Sequence, residues 1–355
     1  MLSVLVGIWL KYPIKIVGDV PLTTVQQERA SRQVGVWVMT MLDQADKFGH
    51  WADVKRREAT MPVGGPFSCS DPDVIARTYS AIRKTGIDYI LLDDTNTLFV
   101  DDGLIDKAVK AWFDYSDKQP IGERLQIAIA AGGELNQHSD PVSWSKAVDI
   151  LFARYASRPS YLRVNNKPVL YWYIEKDVQS KWTDSRWTIR KTYHFFRTED
   201  GFRNGGWGYG ANDATRPEGL ECASIQPGWD LSPPGFPRKG GELYCSRWSR
   251  AISSNPGSIL LSDWNGWNEG TALSESASWH DNYGDPAPSW YIDLTHGFVQ
   301  LFKGKLIDGF FYRLDGAPEV FRYSNQQFVY QGQYPHGKPV VIVPPGYVRG
   351  FPPIR

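Results

Sequence analysis

A chain of 355 residues, 42% apolar and 22% charged, has the length for one large domain or two ordinary ones and the composition of a globular protein. Lysine plus arginine equals aspartate plus glutamate, 39 against 39, which removes the electrostatic case for nucleic acid or an anionic membrane. No stretch approaches the roughly 18 uninterrupted apolar residues of a membrane-spanning helix.

The departure from average composition is aromatic: 15 Trp, 18 Tyr and 16 Phe. Flat apolar faces suit either a protein core or the C–H faces of sugar rings. Cys69, Cys222 and Cys245 are widely spaced and form no CxxC, so they outline neither a zinc site nor a disulfide framework. One pair is able to bridge if the protein is exported. Met1 to Leu10 are apolar, but no basic residue precedes them and no small-residue cleavage site follows before Lys11-Tyr12-Pro13. That reads equally as a poor signal peptide or as a buried first strand.

From Val34 to Leu42 a continuous apolar run predicts the first buried strand. Asp71-Pro72-Asp73 opens a helix with apolar Val74, Ile75, Tyr79 and Ile82 at helical spacing and a stop at Gly86. A strand follows at Ile87–Leu92 and ends in Asp93-Asp94-Thr95-Asn96. The alternation repeats with a helix over Gly103–Tyr115 and a strand over Leu125–Ala130, ending at Gly132-Gly133-Glu134. A helix from Asp140 to Ala156 leads to the strand Pro168–Tyr173, closed by Glu175. Weaker strand signals lie at Trp187–Tyr193, Trp207–Gly210 and Ala223–Gln226, and a stronger one at Ser258–Ser262. A helix over Ser289–Phe302 ends the series.

Eight strand candidates alternating with helices predict an α/β fold of the TIM type, a (β/α)8 barrel. A doubly wound open sheet is the runner-up, but no Gly-rich phosphate loop follows the first strand. Beyond Ile307 the texture changes to short alternating runs separated by Gly, Pro, Asn and Asp, the pattern of a β-meander. This divides the chain into a barrel over 1–305, with a lead-in at 1–33, and a small C-terminal β-rich appendage over 306–355 that packs on the barrel.

In a barrel the residues just after the strands share one mouth. The carboxylates there are Asp93, Asp94, Glu134, Glu175, Asp263 and Glu269. Converging acids in an aromatic setting suit glycoside hydrolysis, where one carboxyl protonates the leaving oxygen and a second acts as base or nucleophile. Adjacent acids in a strand point to opposite sides, so only one of Asp93 and Asp94 faces the mouth; the other reading makes them structural. No HExxH or close His spacing indicates a metal, no GxSxG indicates a serine nucleophile, and the lone His50, His280 and His296 read as structural. No cofactor is called for.

The segment Ser262-Asp263-Trp264-Asn265-Gly266-Trp267-Asn268-Glu269-Gly270-Thr271 resembles the loop after the last barrel strand in glycoside hydrolase family 99 and its family 71-like relatives. Other landmarks fall in the same order: His50-Trp51, Phe67 to Ile75, Thr85 to Asn96, and Asn166 to Tyr171. The resemblance covers about residues 34 to 302 and implies a (β/α)8 glycosidase on α-linked oligo- or polysaccharides, commonly endo-acting, secreted or periplasmic, without a cofactor. By position it makes Glu269 the proton-donating acid. Trp264, Trp267 and Trp172 are expected to stack on sugar rings, and Asn265, Asp263, Glu134, Glu175, Asn96 and Trp51 to join them in binding substrate.

The family's loop carries a first acid three residues before the second, and here that place is Gly266. Either another carboxylate has taken the role or the barrel binds glycan without cleaving it. For an enzyme, Asp94 is the first expectation and Asp93 its rival, because the second strand lies two places around the ring from the eighth. A polysaccharide-building transferase is the least supported reading, since no donor-phosphate motif is present.

Overall fold

Continuous apolar runs cannot face water on either side, and here they form a parallel sheet with helices over one face. The computed structural model describes residues 32–47, 49–56, 60–95, 103–132, 141–174, 181–193, 222–230, 235, 237–278, 287–332, 338–344 and 347. The strands are β1 (Gln33–Val38), β2 (Met61–Pro62), β3 (Tyr89–Asp93), β4 (Gln126–Gly132), β5 (Arg163–Val164), β6 (Lys167–Ile174), β7 (Thr188–Tyr193), β8 (Cys222–Ile225), β9 (Ser258–Leu261) and β10 (Ser276–Ser278). Four more, β11 (Phe311–Leu314), β12 (Val320–Ser324), β13 (Gln327–Gly332) and β14 (Val340–Val343), follow in the tail. The helices are α1 (His50–Arg56), α2 (Pro72–Thr85), α3 (Leu104–Asp117), α4 (Pro141–Tyr155), α5 (Glu242–Ser253) and α6 (Trp290–Phe302).

The main sheet runs β7-β6-β4-β3-β1-β9-β8, parallel throughout, with short β5 antiparallel on β6. Neighbours follow chain order around the ring, with described helices between β1 and β3, β3 and β4, β4 and β6, and β8 and β9, and the layout is consistent with a TIM-type barrel. The expected strand at 207–210 lies outside the described residues. β1 stops at Val38 rather than at Leu42, and α1 and α5 were not anticipated from sequence.

Helix ends follow local chemistry. The Asp71 carboxylate accepts from the backbone N–H of Asp73 and Val74 at the start of α2, and Gly86 takes the left-handed conformation (φ 83°) that ends it.

Register decides which side chains face the hollow of the curled sheet. Gly35 pairs with Tyr89, and a Cβ on Gly35 would lie 2.1 Å from the Tyr89 ring, so only glycine lets that ring cross. The Tyr89 hydroxyl shares a 2.7 Å hydrogen bond with that of Tyr171 on β6, and Arg190 on β7 donates to Tyr171 at 2.7 Å. Side chains from β1, β3, β6 and β7 meet in this way only because the sheet curls. Gly35, Trp37, Tyr89, Leu91, Asp93, Tyr171 and Arg190 therefore face inward, and Val36, Leu92 and Trp172 face the helices.

The tail forms a four-stranded sheet in the order β13-β12-β11-β14. Its first three strands are the antiparallel meander expected, but β14 lies on the other side of β11 and parallel to it. The sheet packs on α5 and α6 through β14, with Val341 against Gly297 and the Ser249 hydroxyl donating to Asp315 at 2.6 Å.

Candidate functional site

The carboxyl ends of the strands gather acids from β3, β8 and β9. Asp93 ends β3 on the inward face, beside the Trp37 indole. Its Oδ1 accepts from the backbone N–H of Thr95 at 2.9 Å and from the Thr95 hydroxyl at 2.7 Å. Burial raises its pKa, and the Thr95 and Trp37 hydrogen bonds offset part of the rise. Asp94 falls on the opposite side, where its charge acts on Tyr155 of α4 and on Tyr161. Of the adjacent pair, the inward carboxylate is thus Asp93, not Asp94, and it is tied into a turn.

The loop after β9 is stitched to the end of β1. The Trp264 N–H donates to the Trp37 carbonyl at 2.7 Å. The Asn265 side chain accepts from Met39 N–H at 2.8 Å and donates to its carbonyl at 2.9 Å. Asp263 is fully buried and accepts from the hydroxyls of Ser262, at 2.6 Å, and Thr271, at 2.9 Å. Burial first, and then the negative charge of Glu269, push its pKa well above the carboxylate range, with a smaller push from Asp93. Asp263 therefore feels the charges of both Glu269 and Asp93, and its neutral form is favoured beyond the ordinary carboxylate range.

Glu269 ends a short 3-10 turn, Trp267–Glu269, and is half-buried. Helix α1 packs on this turn. Arg238 fixes the rest of the loop by donating to the carbonyls of Gly270 and Ala272, each at 2.8 Å, while its guanidinium lies over the Tyr291 ring. At Gly266 the side-chain direction is filled: a Cβ would come within 2.1 Å of Thr271 Oγ1 and 2.6 Å of Asp263 Oδ2.

Several expected substrate contacts are instead packing. Trp51, Trp172, Trp264 and Trp267 are 1%, 0%, 1% and 2% exposed, so none offers an open ring face. Trp172 lies on the helix side of β6, stacked on Trp182 and edge-on to Trp144 of α4. Trp51 packs edge-on to Phe67, and its indole N–H donates to the Phe67 carbonyl at 3.2 Å. Asn265 spends its amide on Met39. Asn96, Glu134 and Glu175 lie outside the described residues.

Two groups after β8 were missed. Asp230 is exposed, and its N–H donates to the Glu269 carbonyl at 2.9 Å. Its carboxyl lies against Gly270, where a Cβ would stand 2.3 Å from the carboxyl carbon. Gln226 follows β8 on the same alternation as Ser224 and Cys222, which face inward, and Arg247 of α5 holds its carbonyl at 2.9 Å. The only sequence signal for either was a polar residue after a short apolar run.

Among the described residues no group of three or more His, Cys, Asp or Glu is placed to hold a metal ion. All three cysteines are free and buried. An open groove of about 810 Å³ runs between α2 and α6, lined by Arg77, Lys84, Glu275, Asp293 and His296. Trp264 and Asn265, at the start of the loop after β9, also line it, whereas Asp93 and Glu269 do not.

No protein-family model matches the chain, and no curated protein does. Solved structures do. The chain is similar to a glycoside hydrolase family 99 endo-α-mannosidase from Bacteroides thetaiotaomicron, at TM-score 0.58 and 14% identity over 77% of this chain and 98% of that one. The same enzyme in complex with BIS-TRIS-propane gives TM-score 0.57 and 14% identity over 77% and 97%. A glycoside hydrolase-like protein gives TM-score 0.50 and 14% identity over 76% and 94%. At this identity the likeness is one of fold, a glycosidase-type fold.

Proposed function

We propose that the protein is a glycoside hydrolase that cleaves α-linked bonds within oligo- or polysaccharides, with Glu269 as the acid that protonates the leaving oxygen. In this reading the barrel is a complete (β/α)8 unit within residues 1–305, and 306–355 is an appendage packed on it. The observation that supports it is the acid cluster at the strand ends, where buried Asp263 feels the charges of both Glu269 and Asp93. Because the similar structures are endo-α-mannosidases, α-mannosidic linkages are the first substrates to test.

The roles follow from environment. Glu269 is the half-buried acid, able to meet both a substrate and the protein's polar interior. Burial favours the neutral form of Asp263, which eases the repulsion between it and Glu269. Asp93, fixed by Thr95, lends negative potential to the mouth, which favours the positive charge that develops on the sugar ring as the glycosidic bond breaks.

The test is turnover of α-mannans by the wild type and by Glu269→Gln, read as new reducing ends. Removing a general acid costs about 10²–10⁴-fold on a poor leaving group and much less on an activated one. Undiminished cleavage of the natural linkage by Glu269→Gln sinks the assignment.

The filled space at Gly266 favours a second reading, a barrel that binds α-glycans without cleaving them. Calorimetric binding of an α-mannan fragment, with no new reducing ends after prolonged incubation, selects it.

A further inference from the structure

We infer that Asp230 is the second catalytic carboxylate of the site, the base toward the attacking water, in place of the acid absent at Gly266. This rests on the glycosidase reading and supplies the partner that Glu269 needs.

The other aspartates described at the strand ends are buried. Asp93 gives Oδ1 to Thr95, Asp94 faces α4, and Asp263 is fully buried under Ser262 and Thr271. Nothing can project from position 266, because Thr271 and Asp263 already occupy the space. Asp230 is instead exposed, and its backbone is fastened to Glu269 itself by the 2.9 Å hydrogen bond. Its carboxyl presses on Gly270, the next residue along from Glu269, and Gly270 is left-handed (φ 73°) and has no room for a side chain. The stretch after β8 thus delivers a solvent-facing carboxylate beside the proposed acid.

A separate observation marks the same strand end as a place for a polar ligand. Gln226 is 4% exposed, on the inward alternation of β8, and its Oε1 meets no hydrogen-bond donor among the described residues. A buried acceptor left without a donor is destabilising. A sugar hydroxyl entering the mouth supplies that donor, and the chain from Gln226 to Asp230 then reads the ring and activates the water.

The step balances without a co-reactant. Ionised Asp230 takes a proton from water as the water oxygen bonds to the anomeric carbon. The bond to the leaving oxygen breaks, and that oxygen takes the Glu269 proton. The products are the free sugar end and the released alcohol. Asp230 ends protonated and Glu269 ionised, and exchange with solvent resets both.

The experiment uses the full chain with two probes, yeast α-mannan and α-mannobiosyl fluoride, whose fluoride leaves without acid help. Asp230→Asn is expected to lose about 10²–10⁴-fold in kcat on both probes, whereas Glu269→Gln loses heavily on mannan alone. Sodium azide is expected to restore turnover of the fluoride to Asp230→Ala, by forming the glycosyl azide, which a merely structural role would not produce and an unfolded variant cannot show. Retention of kcat within about threefold in Asp230→Asn, or loss in Asp230→Ala without azide rescue, overturns the assignment while leaving the glycosidase reading intact. A wild type inert on both probes overturns that reading and this assignment with it.

Discussion

Gly266 is where sequence and geometry meet most tightly, and Gly266→Ala tests the account of it. The new methyl would lie 2.1 Å from Thr271 Oγ1, 2.6 Å from Asp263 Oδ2 and 3.2 Å from Asp263 Cβ. Neither neighbour can swing away freely. Thr271 Oγ1 donates to Asp263 at 2.9 Å and lies 3.1 Å from the Gly266 carbonyl, and both side chains are fully buried. Overpacking a tight site costs about 1–3 kcal/mol. Breaking the Thr271 hydrogen bonds adds about 0.5–1.5 kcal/mol each. These costs overlap, and a loss of about 2–4 kcal/mol in urea unfolding, followed by tryptophan fluorescence, is the expected result. In the double variant with Thr271→Ala the nearest obstruction is gone and only that of Asp263 stays, so its loss should fall about 1–2 kcal/mol short of the sum of the single losses. A Gly266→Ala protein within about 0.5 kcal/mol of wild type would refute the reasoning. The same collision means that Gly266→Glu cannot rebuild the family's acid pair, and no gain of hydrolysis is expected from it.

Asp263→Asn addresses the buried acid. Burial raises the carboxyl's pKa in the fold well above its unfolded value near 3.8, so its contribution to stability is fully present below about pH 4 and is lost as pH rises toward the folded pKa. The stability of the variant relative to wild type should therefore improve by up to about 1.4 kcal/mol per pH unit as pH rises above about 4, and a difference that does not change with pH counts against a raised Asp263 pKa. Trp172→Ala should cost about 3–5 kcal/mol by emptying the space between Trp144 and Trp182, yet leave calorimetric binding of an α-mannan fragment unchanged in the folded fraction; weakened binding would return Trp172 to the mouth.

The frame of the molecule was legible because it rests on local rules. Apolar runs, the Asp71 cap and the Gly86 stop each correspond to an element within a few residues. Opposite facing of Asp93 and Asp94 was also readable, but which of them points inward depends on register, fixed by the Tyr89 ring crossing Gly35 from another strand. Tryptophan misled for a similar reason. In Leu170-Tyr171-Trp172-Tyr173 every residue is apolar enough for either face, so composition cannot tell a sugar platform from a wedge under a helix. Asn265 looked like a ligand contact because it is polar in an aromatic loop, and its partner, the Met39 backbone, is 226 residues away in sequence. Asp230 went unread because it follows a four-residue strand and no acid motif surrounds it.

The hydroxyl pair of Tyr89 and Tyr171, with the Arg190 guanidinium beside them, gives the hollow of the sheet a bottom. Tyr89 precedes Asp93 by four residues on β3, about 13 Å of strand, so the space beneath the acids is a shallow pit and not a tunnel. A long glycan has no path through it. The proposed hydrolysis then requires the polymer to lie across the rim and dip one linkage toward Glu269, and both fragments to leave by the opening through which the chain came. Under that proposal, traffic through a single doorway would make each released fragment a competitor for the next chain.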